Sequence, residues 1–279
     1  MKGYNLLING EMVAGTSTMP VLNPATEEVL TDCPRSSEEQ LNQAVQAAKN
    51  AFSSWSQTQI QERKEIVLKI ADIVEANAQE LAQILTEEQG KPIGDATGEV
   101  YGMAAFCRYF ASLDLPVKLI EDSDGRKVEA HRTPLGVVGA IVPWNFPLIL
   151  LAFKLPPALI AGNTIVIKPA PTTPLSTLRV AELIKDVAPP GVINVITDLN
   201  DLGAALTAHP DVRKISFTGS TATGAKVMAG AAGLLKRITL ELGGNDAGIV
   251  LNDVDPKEAA PKLFNSAFQN TGQVCIAMK

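Results

Sequence analysis

Histidine and cysteine are scarce in this chain of 279 residues: two histidines (His131 and His209) and three cysteines (Cys33, Cys107 and Cys275). Two histidines argue against a His-based metal centre and against a Ser-His-Asp triad. Three cysteines this scattered build neither a disulfide framework nor a zinc site, and no metal site is expected. They point to a reducing compartment in which one free thiol can be chemically employed. No Lys/Arg block is present, and 24 basic against 30 acidic side chains leave a net charge of −6. That balance argues against nucleic acid and against anionic membrane surfaces as partners. The N-terminus, MKGYNLLINGEMV, has no apolar run ahead of a small-residue cleavage site, so no export signal is read and a cytoplasmic location is expected. The one long uncharged run, residues 133–153, carries Pro134, Gly136, Gly139, Pro143, Asn145 and Pro147. Those breakers exclude a membrane helix and fit a buried strand, a loop and a helix start.

What is present is a globular composition, 46% apolar and 19% charged, long enough to bury a core without staples. Residues 4–14 alternate around Asn9-Gly10, a type I′ hairpin signal. Ser37 with Gln40 fits a capping box. Leu41, Ala44, Val45, Ala48, Phe52 and Trp55 then recur at helical spacing. A longer helix is expected from about Gln59 to a stop at Gly90 and Pro92, and a third over 95–113. Residues 117–133 read as a hairpin turning near Asp124-Gly125. Beyond Pro134, short Val/Ile runs at 136–142, 163–168, 192–196 and 213–217 alternate with helical patterns near 147–161, 174–187, 200–208 and 221–232. That alternation predicts βαβ units and a parallel sheet covered on both faces. The last stretch holds RITLELGG (237–244), DAGIVL (246–251) and a helical pattern from about Pro261 to Asn270.

Five short motifs carry candidate chemistry, each with an ordinary structural alternative. Phe217 ends a strand, and Gly219-Ser220-Thr-Ala-Thr-Gly224 leads into a helix. Such a turn presents backbone N–H groups and a positive dipole end to a phosphate, or is a plain strand–helix connection. It is neither a Walker A loop, since Lys226 falls one position late, nor GxGxxG. Lys168 closes strand 163–168, where ligands of open parallel sheets bind; otherwise it is a solvated strand-end lysine. In Pro143-Trp144-Asn145-Phe146-Pro147 two prolines fix the loop. Its Asn145 amide is either a donor to a developing oxyanion or a turn cap, and Trp144 can line a pocket. Glu241 in LELGG is a general base or an exposed strand residue, and the glycines after it let another backbone come close. Cys275 in QNTGQVC is a nucleophile or, like Cys33 and Cys107, a small apolar core residue.

Taken in order, LELGGNDA around Glu241, GQVC around Cys275, PWNFP, IVIKPA and FTGSTATG resemble the landmarks of the NAD(P)-dependent aldehyde dehydrogenase superfamily. INGEMV and Asn23-Pro24-Ala25-Thr26 also fit. The resemblance runs from about residue 5 to the end. It implies an α/β fold: a Rossmann-like parallel sheet with helices on both faces, a projecting hairpin arm and the start of a second α/β catalytic domain. The dinucleotide-binding domain would take 1–116 and 134–235, the bridging arm 117–133, and the catalytic domain would begin at 236–279. It further implies oxidation of a small aldehyde to an acid, with hydride passing to NAD or NADP through a thiohemiacetal and a thioester. Cys275 would be the nucleophile, Asn145 and the Cys275 backbone N–H the oxyanion hole, and Glu241 the base that activates water. Lys168 would contact the adenosine ribose, and the turn of Gly219, Ser220 and Gly224, with Phe217 and Trp144 nearby, would receive the cofactor. Two departures stand out. Pro171 replaces a glutamate that holds the ribose hydroxyls in many NAD-preferring relatives, so NADP⁺ is expected to be accepted at least as well as NAD⁺. Family members also continue well beyond the nucleophile, into most of the catalytic domain, a nicotinamide-ribose segment and a strand used in oligomerisation. The chain is therefore expected to be a fragment or truncated form, with a homo-oligomer for a full-length form. The competing expectation is a non-catalytic dinucleotide-binding module or an inert product.

Overall fold

The computed structural model describes residues 3–278. The chain opens with β1 (Leu6–Ile8) and β2 (Glu11–Val13), joined through Asn9 and Gly10, both at positive φ as the turn signal requires. A separate hairpin follows, β3 (Ser17–Leu22) and β4 (Val29–Arg35). Sequence reading passed over it, although Met19, Val21 and Cys33 are buried in a strand-like alternation. Then come α1 (Glu38–Trp55), α2 (Ile60–Ala76), α3 (Ala78–Gln89) and α4 (Ile93–Ser112). The Ser37/Gln40 capping box is present at the start of α1. The expected long helix over 59–89 is two helices. Asn77 takes φ −109° and ψ 20°, and its side chain donates to the Ile73 carbonyl at 2.8 Å, closing α2 before α3 starts. The arm, β5 (Lys118–Ser123) with β6 (Arg126–Ala130), turns at Gly125 and stands exposed.

The α/β part comprises β7 (Val137–Ile141), α5 (Pro147–Ala152), α6 (Leu155–Ile160), β8 (Thr164–Lys168), α7 (Leu175–Ile184), β9 (Ile193–Val195), α8 (Gly203–Ala208), β10 (Val212–Thr218), α9 (Thr221–Ala232) and β11 (Arg237–Glu241). The helix expected over 147–161 is split in two at Phe153 and Lys154, where Pro156 and Pro157 restart it. Strand order is β11-β10-β7-β8-β9-β1-β2. The five strands β11 to β9 are parallel; β1 joins β9 antiparallel and carries β2 at the edge.

Both faces are covered because successive strand residues point to opposite sides. Val138, Ala140, Val142, Ile165 and Ile167 pack under α2 to α7, while Val137, Ile141, Val166 and Ile215 meet α1, α8 and α9. Gly139 is the small position on the second face: an added Cβ would stand 2.9 Å from the Ile215 side chain. Helix α10 (Pro256–Phe268) begins at the Asp255 cap and carries Pro261 inside it, so it starts five residues earlier than the pattern suggests. DAGIVL forms no strand, and Ile249, Leu251, Phe264, Phe268 and Ile276 are exposed. Among the described residues no helix is long and apolar enough to cross a membrane.

Candidate active site

Parallel strands aim their C-terminal ends the same way, so β7, β8 and β10 release their loops on one side of the sheet. There a cleft of about 1040 Å³ opens, with Trp144, Asn145, Lys168, Phe217, Gly219, Ser220 and Cys275 in its wall. Six separate stretches of sequence, 141–145, 168–170, 200–208, 217–230, 242–244 and 272–275, thus meet at one place. Trp144 is exposed at 44%, whereas Phe217 is buried and its ring lies under Gly219, where an added Cβ would stand 2.6 Å from it. Ser220 caps α9: its Oγ accepts from the Thr223 N–H at 3.2 Å. The first turn of α9 therefore faces the cleft with its dipole. Gly224 lies off the cleft wall, buried against Leu242 with room for no side chain. Pro171 sits half-buried in the turn after β8, one residue past Ala170, which does line the cleft.

Lys168 is no solvated strand-end lysine. Its Nζ donates to Asp198 Oδ1 at 2.6 Å, and both side chains are buried. Asn145 is held at three points. Its Nδ2 donates to the Gln273 carbonyl at 2.8 Å, two residues before Cys275, and its Oδ1 accepts from the Phe146 N–H. Its carbonyl accepts from Lys91 Nζ at 2.8 Å. Lys91 pairs with Glu99 in the interior and lies 3.9 Å from the Phe146 ring centre. Glu99 in turn accepts from the Leu148 and Ile149 N–H groups at the start of α5.

Glu241 ends β11 exposed, while Ile238, Leu240 and Leu242 pack inward. The Gly243-Gly244 pair after it admits the Cys275 loop: an added Cβ on Gly244 would stand 2.8 Å from the Cys275 carbonyl. Asp246 and Met278 then pair in parallel. Burial and the adjacent Glu241 carboxylate push the Cys275 thiol above its usual range. Cys33 and Cys107, fully buried, are pushed up by burial to about 12. Alkylation by iodoacetamide is therefore expected at Cys275 first. Its rate should rise through a midpoint above the free-thiol value of about 8.5. Glu241→Gln removes the anion that opposes the thiolate, so the midpoint should move to lower pH, read by mass spectrometry of the labelled peptide. An unmoved midpoint would show that Glu241 does not act on the thiol.

Lys154 escaped the sequence reading. It is buried between α5 and α6 and donates at 2.7 Å to Oγ1 of Thr218, the residue paired with Glu241 across β10 and β11. Burial lowers it to about 8, opposed by the Glu241 charge. Its signal was available: it is the lone charge closing the uncharged run 133–153. Lys91, Glu99 and Asp198 gave no such signal.

Comparison with known proteins fits this geometry. The sequence model of the Aldehyde dehydrogenase family matches residues 12–279. A "Probable aldehyde dehydrogenase" of a Pseudomonas species is 47% identical over 277 residues, covering 99% of this chain and 57% of that relative. The crystal structure of PnpE in complex with nicotinamide adenine dinucleotide superposes with a TM-score of 0.95 at 42% identity, over 99% of this chain and 58% of that one. An Escherichia coli NADP-dependent enzyme gives 0.95 at 36% identity, over 99% and 59%. The chain thus spans under three fifths of the length of these relatives. With the fold matched almost end to end and the family's sequence pattern present from residue 12 onward, the chain belongs to the aldehyde dehydrogenase family.

Proposed function

We propose that this chain carries the dinucleotide-binding part and the nucleophile of an enzyme that oxidises a small aldehyde to a carboxylic acid. The observation that carries the reading is the meeting of the Cys275 thiol, the Glu241 carboxylate and the Asn145 amide beside one cleft. The cleft suits a nicotinamide dinucleotide, NAD or NADP, in three respects. Its volume of about 1040 Å³ matches the upper range of small-ligand pockets. Its wall includes a capped helix N-terminus for the pyrophosphate. Lys168 supplies N–H donors for the adenosine ribose. When bound, the nicotinamide supplies the hydride acceptor.

The protein's own residues do the rest. The raised thiol needs a base, and Glu241 stands next to it to accept the proton. The thiolate adds to the aldehyde carbon, and the new alkoxide is met by the Asn145 amide and the Cys275 N–H as a thiohemiacetal. Once hydride has left, the acyl group remains on Cys275 as a thioester. Glu241, exposed and having passed that first proton to solvent, then takes a proton from water as the hydroxide adds to the thioester carbon, and the C–S bond breaks to release the acid and the Cys275 thiolate. Residues 1–116 and 134–235 form the dinucleotide-binding domain, 236–279 open the catalytic domain, and the exposed arm 117–133 serves assembly of a homo-oligomer in the cytoplasm.

A second reading is a module that binds a dinucleotide without turnover. Calorimetric titration with NAD⁺ and NADP⁺, followed by an aldehyde-dependent absorbance assay at 340 nm, separates the two. Binding is expected of these residues, and turnover when the rest of the catalytic domain is present; binding without turnover even then would favour the module. In Glu241→Gln, acid release should slow by roughly 10²–10⁴-fold while the first rise in absorbance persists. A variant with an unchanged steady rate would remove Glu241 from the mechanism.

A further inference from the structure

We propose that Asp198 makes the adenosine-ribose subsite select NAD⁺ over NADP⁺, an inference that rests on the dinucleotide reading above. Lys168 lines the cleft, yet its charge is already matched from behind. Asp198 is fully buried and its Oδ1 lies 2.6 Å from Lys168 Nζ. The other carboxylate oxygen, Oδ2, accepts from the Leu202 N–H at 2.8 Å, so the acid is pinned through both oxygens and cannot swing away.

A second acid of this loop holds a cation at the surface, Arg35 at the end of β4. Arg35 Nη2 lies 2.7 Å from Asp201 Oδ2, and Asp201 Oδ1 accepts from the Leu199 N–H at 3.0 Å. Residues 198–201 thus bring two carboxylates to two cations. The other cation in the cleft wall, Lys226, comes from α9, the helix assigned to the pyrophosphate.

The two cofactors ask different things of Lys168. A ribose hydroxyl is neutral and needs only an N–H donor. An ammonium has three, and Asp198 uses one. A 2′-phosphate adds about −1.5 to −2 charges near pH 7 and needs uncompensated positive charge. The Lys168–Asp198 pair offers donors with no net charge, and its buried anion repels the phosphate. Pro171 removes one repulsion from the ribose site, but Asp198 supplies another from a position less screened by water.

The test is binding, which needs no turnover. Wild-type protein and Asp198→Asn are titrated separately with NAD⁺ and NADP⁺ by calorimetry, with 5′-AMP and 2′,5′-ADP as probes of the adenosine half alone. Wild type is expected to bind NAD⁺ at least about tenfold more tightly than NADP⁺, and 5′-AMP more tightly than 2′,5′-ADP, a tenfold ratio corresponding to about 1.4 kcal/mol. Asparagine keeps an oxygen for the Leu202 N–H and removes the charge, so the ratio should shrink by about tenfold, through tighter NADP⁺ binding. Equal wild-type affinities would overturn the inference without any variant, as would an unchanged ratio in a folded Asp198→Asn. If neither dinucleotide binds, the dinucleotide reading itself falls, and the inference with it.

Discussion

Cys275→Ala is expected to lower aldehyde-dependent dinucleotide reduction by on the order of 10⁴-fold or more, with dinucleotide affinity unchanged. No other group can stand in for the thiol. Cys33 and Cys107 lie in the core with their thiols raised to about 12, and neither lines the cleft. Water is a far weaker nucleophile than a thiolate, so the addition to the carbonyl carbon that must precede hydride departure is slow without the sulfur. The alanine keeps the loop in place, since Gly244 packs on the Cys275 backbone and Asn145 bonds the Gln273 carbonyl, not the sulfur. Initial rates at 340 nm and a calorimetric titration on the same preparation check both halves of the expectation. A variant of undiminished activity would remove the covalent route; a variant that also loses dinucleotide affinity would point to a misfolded loop.

How much of this was legible depended on range along the chain. The Asn9-Gly10 turn, the Ser37/Gln40 box and the Val/Ile strands are written within a few residues, and local geometry follows from them. The order of the site motifs was legible for the same reason: four lie at or just past the end of a strand, and the fifth, around Cys275, follows α10. Whatever required a partner far along the chain was not. Helix α7 has no side-chain cap of its own; Pro174 precedes it, and the buried Glu88 carboxylate accepts from the Leu175 and Ser176 N–H groups instead. Burial raises that acid to about 7 even so. Asp198 sits 30 residues from Lys168, in a loop whose acids look solvated in sequence. The break at Asn77 was hidden because the residues on either side are good helix formers, and the amide that ends α2 bonds backward to its own last turn. Gly224 shows the converse: glycine in a cofactor-like motif, spent on packing against Leu242.

The Lys91–Glu99 pair should prove the most costly side-chain contact to break singly. Lys91→Met or Glu99→Met is expected to lower unfolding free energy by about 3–5 kcal/mol, measured by urea titration. Both side chains are 1% exposed. Burial lowers Lys91 and raises Glu99, and each partner opposes the shift of the other. Removing one partner leaves the other to bear its desolvation alone. Three further groups lose a partner with them: the Asn145 carbonyl on the lysine side, left with Asn270 Nδ2 at 3.4 Å, and the Leu148 and Ile149 N–H groups on the glutamate side. The double variant Lys91→Met with Glu99→Met removes the stranded charge but not those backbone groups. It should therefore lose less than the two single losses added, by about 1–3 kcal/mol. Single losses below about 1 kcal/mol would mean that the pair carries no buried charge. The same pair holds both ends of the loop that carries Asn145, its carbonyl at one side and the start of α5 at the other. Stability and the placement of the Asn145 amide are thus tied to one contact, 46 residues away in sequence at its nearer member.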